Sequence, residues 1–327
     1  MRQLWVMVKH SWPTPIQTPI ENLRPARSTC EHCHWPEKFY AGRQKIFYHY
    51  ASNEENTPRE INMLIKIGGT PKTPNDMGIH WHIGREVTFI ADDKKRTSIS
   101  YVAVRGANGK TTEYMDPAKP LSKAAIAKAE KRLMDCIDCH NKPTHIYHSP
   151  SEEMDRHFAS NTIDRSIPYM KKVAVDLLEK PYKTSEEAAA AIEAGIKSYY
   201  AKNYPDVANK RGPALAQAIS EIKGIYTRNY FPKMNVYWNT YPNHVGHFYS
   251  PGCFRCHDGK HTSPEGRVIS RECDVCHTML GQIQENVPKG KPVTGFVHPV
   301  DIGDELYKTN CSECHSAGEH ARAGSGK

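Results

Sequence analysis

Residues 86–115 form apolar segments of β-strand length, divided by short polar stretches. The strings EVTFIADD, TSISYVAVRG and KTTEYMD are rich in β-branched and aromatic residues. The strings DDKK and GANGK separate them, and the second is a good hairpin turn signal. We therefore predict a small antiparallel β meander near residues 86–115, within a longer insert of residues 35–118.

A second insert, residues 149–230, has the period of α-helices instead. The string TSEEAAAAIEAGIKSYYAKNYP begins with a cap at Thr184 or Ser185, and PALAQAISEIKGIYTRNYFP begins with proline. Apolar residues recur at helical spacing in both strings, and we expect the two stripes to pack on each other as an antiparallel pair. The stripe residues are Ala188, Ile192, Ile196 and Tyr200 in the first helix and Leu215, Ile219, Ile222 and Tyr226 in the second.

Two further helices follow from their starting residues. SPSEEMDRHF opens with a serine cap followed by acidic residues, which is typical of a helix N-terminus. LSKAAIAKAEKRLMDC predicts a helix that begins at Leu121.

The composition is poor in aliphatic core for a chain of 327 residues. Only 38% of the residues are hydrophobic, whereas Pro and Gly are frequent, at 23 and 21 residues. These values fit a chain that is wrapped around flat apolar cofactors better than one that folds on its own side chains alone.

A five-residue pattern, C-x-x-C-H, occurs five times and uses all ten cysteines. C-x-x-C-H is the signature of c-type haem attachment, in which two thiols bond the haem and the histidine ligates its iron. The copies are CEHCH, CIDCH, CFRCH, CDVCH and CSECH. Their cysteines are Cys30, Cys33, Cys136, Cys139, Cys253, Cys256, Cys273, Cys276, Cys311 and Cys314, and their histidines, the predicted proximal ligands, are His34, His140, His257, His277 and His315.

Two other uses of paired cysteines explain the pattern less well. A zinc site needs paired C-x-x-C units but gives no reason for a histidine directly after each pair. A disulfide across a two-residue gap is strained and does not require the histidine either. The sequence therefore predicts five covalently attached haem c groups.

These observations predict the fold class and a division of the chain. We expect a mainly α and irregular fold, a multihaem cytochrome c wrapped around five covalent haems, with the small β meander near residues 86–115. Residues 1–120 would hold the first motif and the β insert, residues 121–235 the second motif and the helical insert, and residues 236–327 a three-haem cluster.

Thirteen histidines remain after the five motifs, which favours histidine as the sixth iron ligand as well. Histidines that lie close to a motif in sequence are the stronger candidates. The alternative for each is a role at the surface or at a haem edge, without a bond to iron. The candidates are His80, His82, His145, His244, His247, His261 and His298, with His10, His32, His49, His157 and His320 in reserve.

The formal charge of +8 gives no support to a nucleic-acid partner. Haem propionates are anionic and ferric iron adds one positive charge to each porphyrin, so the loaded protein would carry about +3 oxidised and about −2 reduced.

The wider motifs resemble a known family. NLRPARSTCEHCHWPEKFYAGR, GIHWHI, MDCIDCHNKPTH, GCFRCHDGKH and CSECH together resemble the NapC/NirT-type multihaem cytochromes c of bacterial respiratory chains, over nearly the whole chain. The resemblance implies electron transfer on the periplasmic or extracellular side of the membrane. It also implies an anchor, supplied by a segment before Met1 or by a partner, because family members usually begin with a transmembrane helix and further haem motifs.

Three functions remain open from the sequence. The first is a pentahaem electron relay from a membrane quinol-oxidising donor to a periplasmic or extracellular acceptor, without bond chemistry. The second is a subunit of a conductive filament or another homo-oligomer. The third is a reductase of nitrite or hydroxylamine type, which needs one haem with an open iron.

Overall fold

The computed structural model describes residues 2–11, 26, 29–34, 41–68, 78–142, 145–284 and 295–315. The helices in this part of the chain are Arg2–Val8 (α1), Trp81–Gly84 (α2), Lys123–Lys128 (α3), Pro150–Ala159 (α4), Met170–Leu178 (α5), Ser185–Asn203 (α6), Pro205–Lys210 (α7), Gly212–Asn229 (α8), Gly303–Tyr307 (α9) and Cys311–Cys314 (α10). The strands are Arg43–Tyr50 (β1), Pro58–Ile65 (β2), Glu86–Ala91 (β3), Ile99–Arg105 (β4), Thr111–Met115 (β5), Arg132–Leu133 (β6) and His277–Ile283 (β7).

The predicted meander is confirmed as strands β3, β4 and β5, which pair antiparallel in the order β5-β4-β3-β6. Both faces of this sheet are covered. Ile90 and Tyr101 pack with Ile126 of α3 on one face, while Phe89 and Val102 form the other. Cys256 of the third motif packs against that second face, so the meander supports a haem-attachment loop.

A second sheet, in the order β1-β2-β7, was not predicted. Strand β1 carries several polar residues and is largely exposed along its first half, so its sequence has no clear apolar alternation. Strand β7 lies about two hundred residues after β2, and no local sequence pattern predicts that these two strands pair. Strand β7 begins at His277, so its pairing with β2 holds the fourth motif against the first insert.

The helical insert agrees with its sequence pattern. All eight predicted stripe residues are buried, and they belong to one hydrophobic core built from α4, α5, α6 and α8. Glu193 near the middle of α6 pairs with Lys223 of α8, as expected for two helices that run side by side in opposite directions. This core lies outside the five motifs and gives the insert a stabilising interior of its own.

Two predicted helix starts have different outcomes. Helix α4 begins after Ser149, whose side chain accepts a hydrogen bond from the amide of Glu152, so that start is confirmed. The helix predicted from Leu121 starts later, after Ser122, and ends at Lys128, far short of the second motif. Its continuation is extended because β6 pairs with β3, so non-local pairing overrides the local preference for helix.

The structure selects between the two candidate caps of α6. The Thr184 hydroxyl accepts a hydrogen bond from the amide of Glu187, 3.1 Å away, and Ser185 is already the first helical residue. We expect Thr184→Ala to lower the free energy of unfolding by about 1 kcal/mol, because the cap bond is lost. Ser185→Ala is the matched control and should change it by a few tenths at most. Chemical denaturation followed by circular dichroism measures both, and equal losses would contradict the assignment.

The observed architecture combines helices with two small antiparallel sheets, which is compatible with a cytochrome. Among the described residues, no helix has the length and apolar character needed to cross a membrane. The division at residues 120 and 235 stays a prediction.

Candidate haem sites

Each C-x-x-C-H motif forms one tight helical turn. In four of them the histidine amide donates to the carbonyl of the first cysteine, at 2.7 to 3.1 Å. In the fourth motif the turn is closed by the Cys276 amide, which donates to the Cys273 carbonyl at 3.3 Å, and His277 enters β7. The turn places two thiols and an imidazole on one short stretch, which is the donor set that a covalently attached haem requires.

The environment of the thiols is poorly suited to a thiolate metal site. None of the ten cysteines is in a disulfide. Burial raises the pKa of the Cys136, Cys139 and Cys276 thiols to about 11 and that of Cys256 to about 12. Zinc ligands and redox dithiols depend on a lowered pKa, so the environment of these thiols disfavours both alternatives.

The first motif lies beside the second. One oxygen of the Asp135 carboxylate accepts the amide of Ala26, 2.8 Å away. A carboxylate oxygen of Glu31, a carboxylate oxygen of Asp135 and the Sγ atom of Cys136 all lie within 4.8 Å of one another. Glu31 is inside the first attachment loop and Cys136 opens the second, so the two loops are neighbours.

The second and third motifs are joined by buried charges, which we call the Asp138 joint and define as Arg96, Arg132, Asp138 and Arg255. Asp138 is 1% exposed and accepts hydrogen bonds from Arg96 at 2.8 Å and Arg132 at 2.6 Å. Arg255, inside the third loop, is buried and donates to the backbone carbonyl of Asp138 at 2.9 Å. The two inter-cysteine residues thus meet directly.

Arg271 connects the third, fourth and fifth motifs. Its guanidinium lies 5.2 Å from the ring centre of Phe254, a residue of the third loop. It also donates to the carbonyl of Lys308 and to the side chain of Asn310, which caps the turn of the fifth motif. Because Arg271 precedes the fourth motif by two residues, the three motifs lie next to one another. The five motifs are therefore linked in chain order, the first three by contacts between their loops and the last three through Arg271.

Three motif histidines have a second histidine ring nearby. The ring centres of His257 and His82 are 5.7 Å apart, those of His277 and His247 are 6.3 Å apart, and those of His315 and His298 are 6.2 Å apart. Two imidazoles bonded to one metal through nitrogens about 2 Å from it have ring centres roughly 6 Å apart. The three separations match the space that a shared iron would take.

Burial lowers the pKa of His82, His247 and His277. It does the same for His140 and His315. A neutral imidazole has the free lone pair that iron binding requires. The lowered values therefore suit these histidines as ligands.

The loop that brings His247 to the third motif depends on glycine. Gly252 has a φ of +48°, and a side chain there would start 1.5 Å from the carbonyl oxygen of Gly246. The same carbonyl accepts the amide of Cys253 at 3.1 Å. Only glycine permits this close approach, which folds residues 246–252 against the attachment loop.

Four other predicted ligands are placed differently. His261 is buried with both ring nitrogens occupied, by Asp258 at 3.0 Å and by the carbonyl of Ile99 at 3.1 Å. His244 uses Nε2 on the carbonyl of Lys95, and burial together with Arg255 lowers its pKa to about 3. His145 uses Nε2 on the carbonyl of Arg228, while His80 precedes α2. Of the reserve histidines, His10, His32, His49 and His157 are described, and His320 lies outside the described residues.

The chain is 64% identical over 324 residues to the cytochrome c-type protein ImcH of Geobacter sulfurreducens. The chain is thus similar to a c-type cytochrome. The match covers 99% of this chain and 64% of that relative, so the chain spans less than two thirds of the relative's length. No family model and no solved structure matches the chain.

The relationship to a c-type cytochrome agrees with covalent haem, iron and electron transfer. The number of haems and membership of the NapC/NirT type stay predictions. Sequence reasoning missed Asp138, Arg255 and Arg271, which connect the motifs. The first two were visible as charged residues between motif cysteines, but nothing in the sequence indicated that they would be buried together.

Proposed function

We propose that the chain is a pentahaem c-type cytochrome that relays electrons along its five motifs in chain order. The observation that carries this proposal is the linkage of successive motifs in chain order, from the first motif through the Asp138 joint to Arg271. Haem, when bound, supplies an iron that takes up and releases one electron without breaking a bond. Loops in contact keep such groups close together, which a relay requires.

The residues of the chain hold and tune these groups. His34, His140, His257, His277 and His315 are proposed as proximal ligands. On the ring separations given above, His82, His247 and His298 would supply the second iron ligand beside His257, His277 and His315 respectively. Two histidine ligands give a lower potential than histidine with methionine, so the assignment favours a low-potential carrier.

The second-ligand assignments leave several sequence candidates in other roles. Hydrogen bonds to both ring nitrogens suit His261 to holding the third motif against β4. For His145 and His244, Nε2 already has a carbonyl partner, so iron would have to displace that bond. His80 remains a candidate.

The donor and acceptor belong to the proposal as well. A membrane quinol-oxidising donor and a periplasmic or extracellular acceptor fit a chain with haem attachment loops running from one end to the other. The resemblance to NapC/NirT-type proteins supports this direction, while the similarity to a c-type cytochrome supports electron transfer alone.

The experiment is a haem count and a spin-state count on the purified, oxidised protein. Pyridine haemochrome absorbance against protein concentration should give five haems per chain, and EPR should show only low-spin signals. The reduced protein should not change its spectrum with carbon monoxide, because no iron is open. A high-spin signal with carbon monoxide or nitrite binding would favour the reductase, and fewer than five haems would contradict the relay as stated.

A further inference from the structure

The imidazole of His315, in the fifth motif, lies against a phenylalanine ring. The ring centres of Phe248 and His315 are 4.4 Å apart, and the two planes are inclined by 25°. Aromatic pairs prefer offset-stacked or edge-to-face arrangements, so a contact of this kind has a preferred orientation. The contact with Phe248 therefore restricts the plane of the His315 ring.

A third ring continues this contact. The ring centres of Phe248 and His49 are 6.3 Å apart, with an angle of 22° between the planes. We call His49, Phe248 and His315 the ring stack. The Nδ1 atom of His49 is 3.2 Å from a carboxylate oxygen of Asp155. An ionised carboxylate can only accept hydrogen bonds, so His49 donates to it from Nδ1.

The helical insert holds the His49 end of the ring stack. Asp155 of α4 is buried and forms an ion pair with the buried Lys171 of α5. The amide of Tyr50 donates to the same carboxylate at 3.0 Å, and Lys171 also donates to the Tyr50 carbonyl at 2.7 Å. His49 is thereby attached to two helices of the insert.

Phe248 has a second support, from the core of the insert. The Tyr249 ring lies edge-on to Phe248, with ring centres 4.6 Å apart. Tyr249 lies edge-on to Trp238 in turn, at 5.5 Å, and both residues belong to the hydrophobic core of the helices. Phe248 itself is 40% exposed, so it contributes little to that core. Its contact with His315 is therefore not a consequence of core packing.

His315 lacks the usual device that orients a metal-binding histidine. Such histidines almost always donate the second ring N–H to a carbonyl, a carboxylate or water, which fixes the ring orientation. His257 follows this rule, with its Nδ1 atom 2.9 Å from the carbonyl of Ser270. Within the described part of the chain, no hydrogen bond reaches a ring nitrogen of His315. The contact with Phe248 is available to orient the ring instead.

A second proposed iron ligand shows the same combination. The Nδ1 atom of His247 is buried and has no hydrogen-bond partner among the described residues. The Phe254 ring is stacked on this imidazole, with ring centres 4.5 Å apart and planes inclined by 24°. A stacked phenylalanine thus accompanies a missing Nδ1 hydrogen bond at both His247 and His315.

We propose that Phe248 is a positioning residue for the fifth haem, and that its ring, supported by His49 and Tyr249, sets the plane of the His315 imidazole. This inference rests on the proposed function, because it requires a haem at the fifth motif. The orientation of its ligands tunes a bound metal. The rings of His315 and His298 are inclined by 38°, and release of His315 from Phe248 would change that angle and with it the g values of a low-spin ferric iron.

The test is EPR spectroscopy of the oxidised holoprotein with Phe248→Leu. We expect five low-spin haems, as in the parent, and a shift of the largest g value in one component only. Phe248→Tyr keeps a ring in the stack and should retain the parent spectrum. Phe231→Leu is the matched control and should also retain it, because Phe231 lies edge-on to His145, for which no iron is proposed.

Two further variants identify the haem and the support. The component that shifts in Phe248→Leu should be the one that becomes high-spin in His298→Ala, which removes the second ligand proposed for the same iron. His49→Ala should shift this component as well. Combined with Phe248→Leu it should add no further shift, because residues that act through one another are not additive.

Several results would overturn the proposal. They are an unchanged spectrum for Phe248→Leu, a shift of a different component, and an equal shift for Phe248→Tyr. Additive shifts would show that His49 does not act through Phe248, which contradicts the support given to the ring stack. A parent protein without five low-spin haems would contradict the relay itself, so the two failures are distinguishable.

Discussion

We expect His82→Met to raise the midpoint potential of a single haem while the number of bound haems stays the same. The ring centres of His82 and His257 are 5.7 Å apart, and the His82 Nδ1 atom is 2.7 Å from the carbonyl of Ile79, so Nε2 is left for iron. A thioether ligand favours ferrous iron more than an imidazole does. The reduction equilibrium constant should change at least about tenfold, which corresponds to 59 mV.

The control for this variant is His145→Met. His145 lies five residues after the second motif, and that short distance in sequence made it a ligand candidate, but its Nε2 atom is 3.1 Å from the carbonyl of Arg228. Spectroelectrochemical titration should show one shifted component for the His82 variant and none for the His145 variant. The reverse result would mean that closeness in sequence identifies the ligands better than ring separation does.

The contrast between His82 and His145 shows what the sequence can supply. A C-x-x-C-H motif is local, because two thiols and an imidazole on one turn follow from five consecutive residues. The sixth ligand is not local. His82 lies well over a hundred residues before His257 and approaches it because α2 packs beside β3, at the edge of the meander that supports the third motif.

The same distinction separates the elements that were predicted from those that were not. The stripes of α6 and α8 are regular over several turns, and all their members are buried as expected. Strand β7 has no such pattern, and its pairing with β2 depends on a contact across two thirds of the chain. The predicted C-terminus of helix α3 is wrong for a related reason. The residues that follow the helix form β6, which gains hydrogen bonds by pairing with β3.

The Asp138 joint gives the second large prediction. Asp138→Ala should lower the free energy of unfolding by about 3 kcal/mol, the lower end of the cost of breaking a buried ion pair by removing one partner. The lower end applies because Arg96 and Arg132 are each about one third exposed and can recover some hydration. Asp274→Ala is the matched control, since Asp274 occupies the fourth attachment loop but its side chain is exposed.

The joint should matter for electron transfer as well as for stability. The Asp138 carboxylate pairs with Arg96 and Arg132, so Asp138→Ala leaves these two cations without their carboxylate, while Arg255 keeps its hydrogen bond to the backbone carbonyl. Uncompensated positive charge favours the reduced state of a nearby iron, and we expect the potentials of two haems to rise together. Denaturant titration and spectroelectrochemistry measure the two effects separately. A stability loss with all five potentials unchanged would show that the joint holds the chain together without influencing the haems on either side.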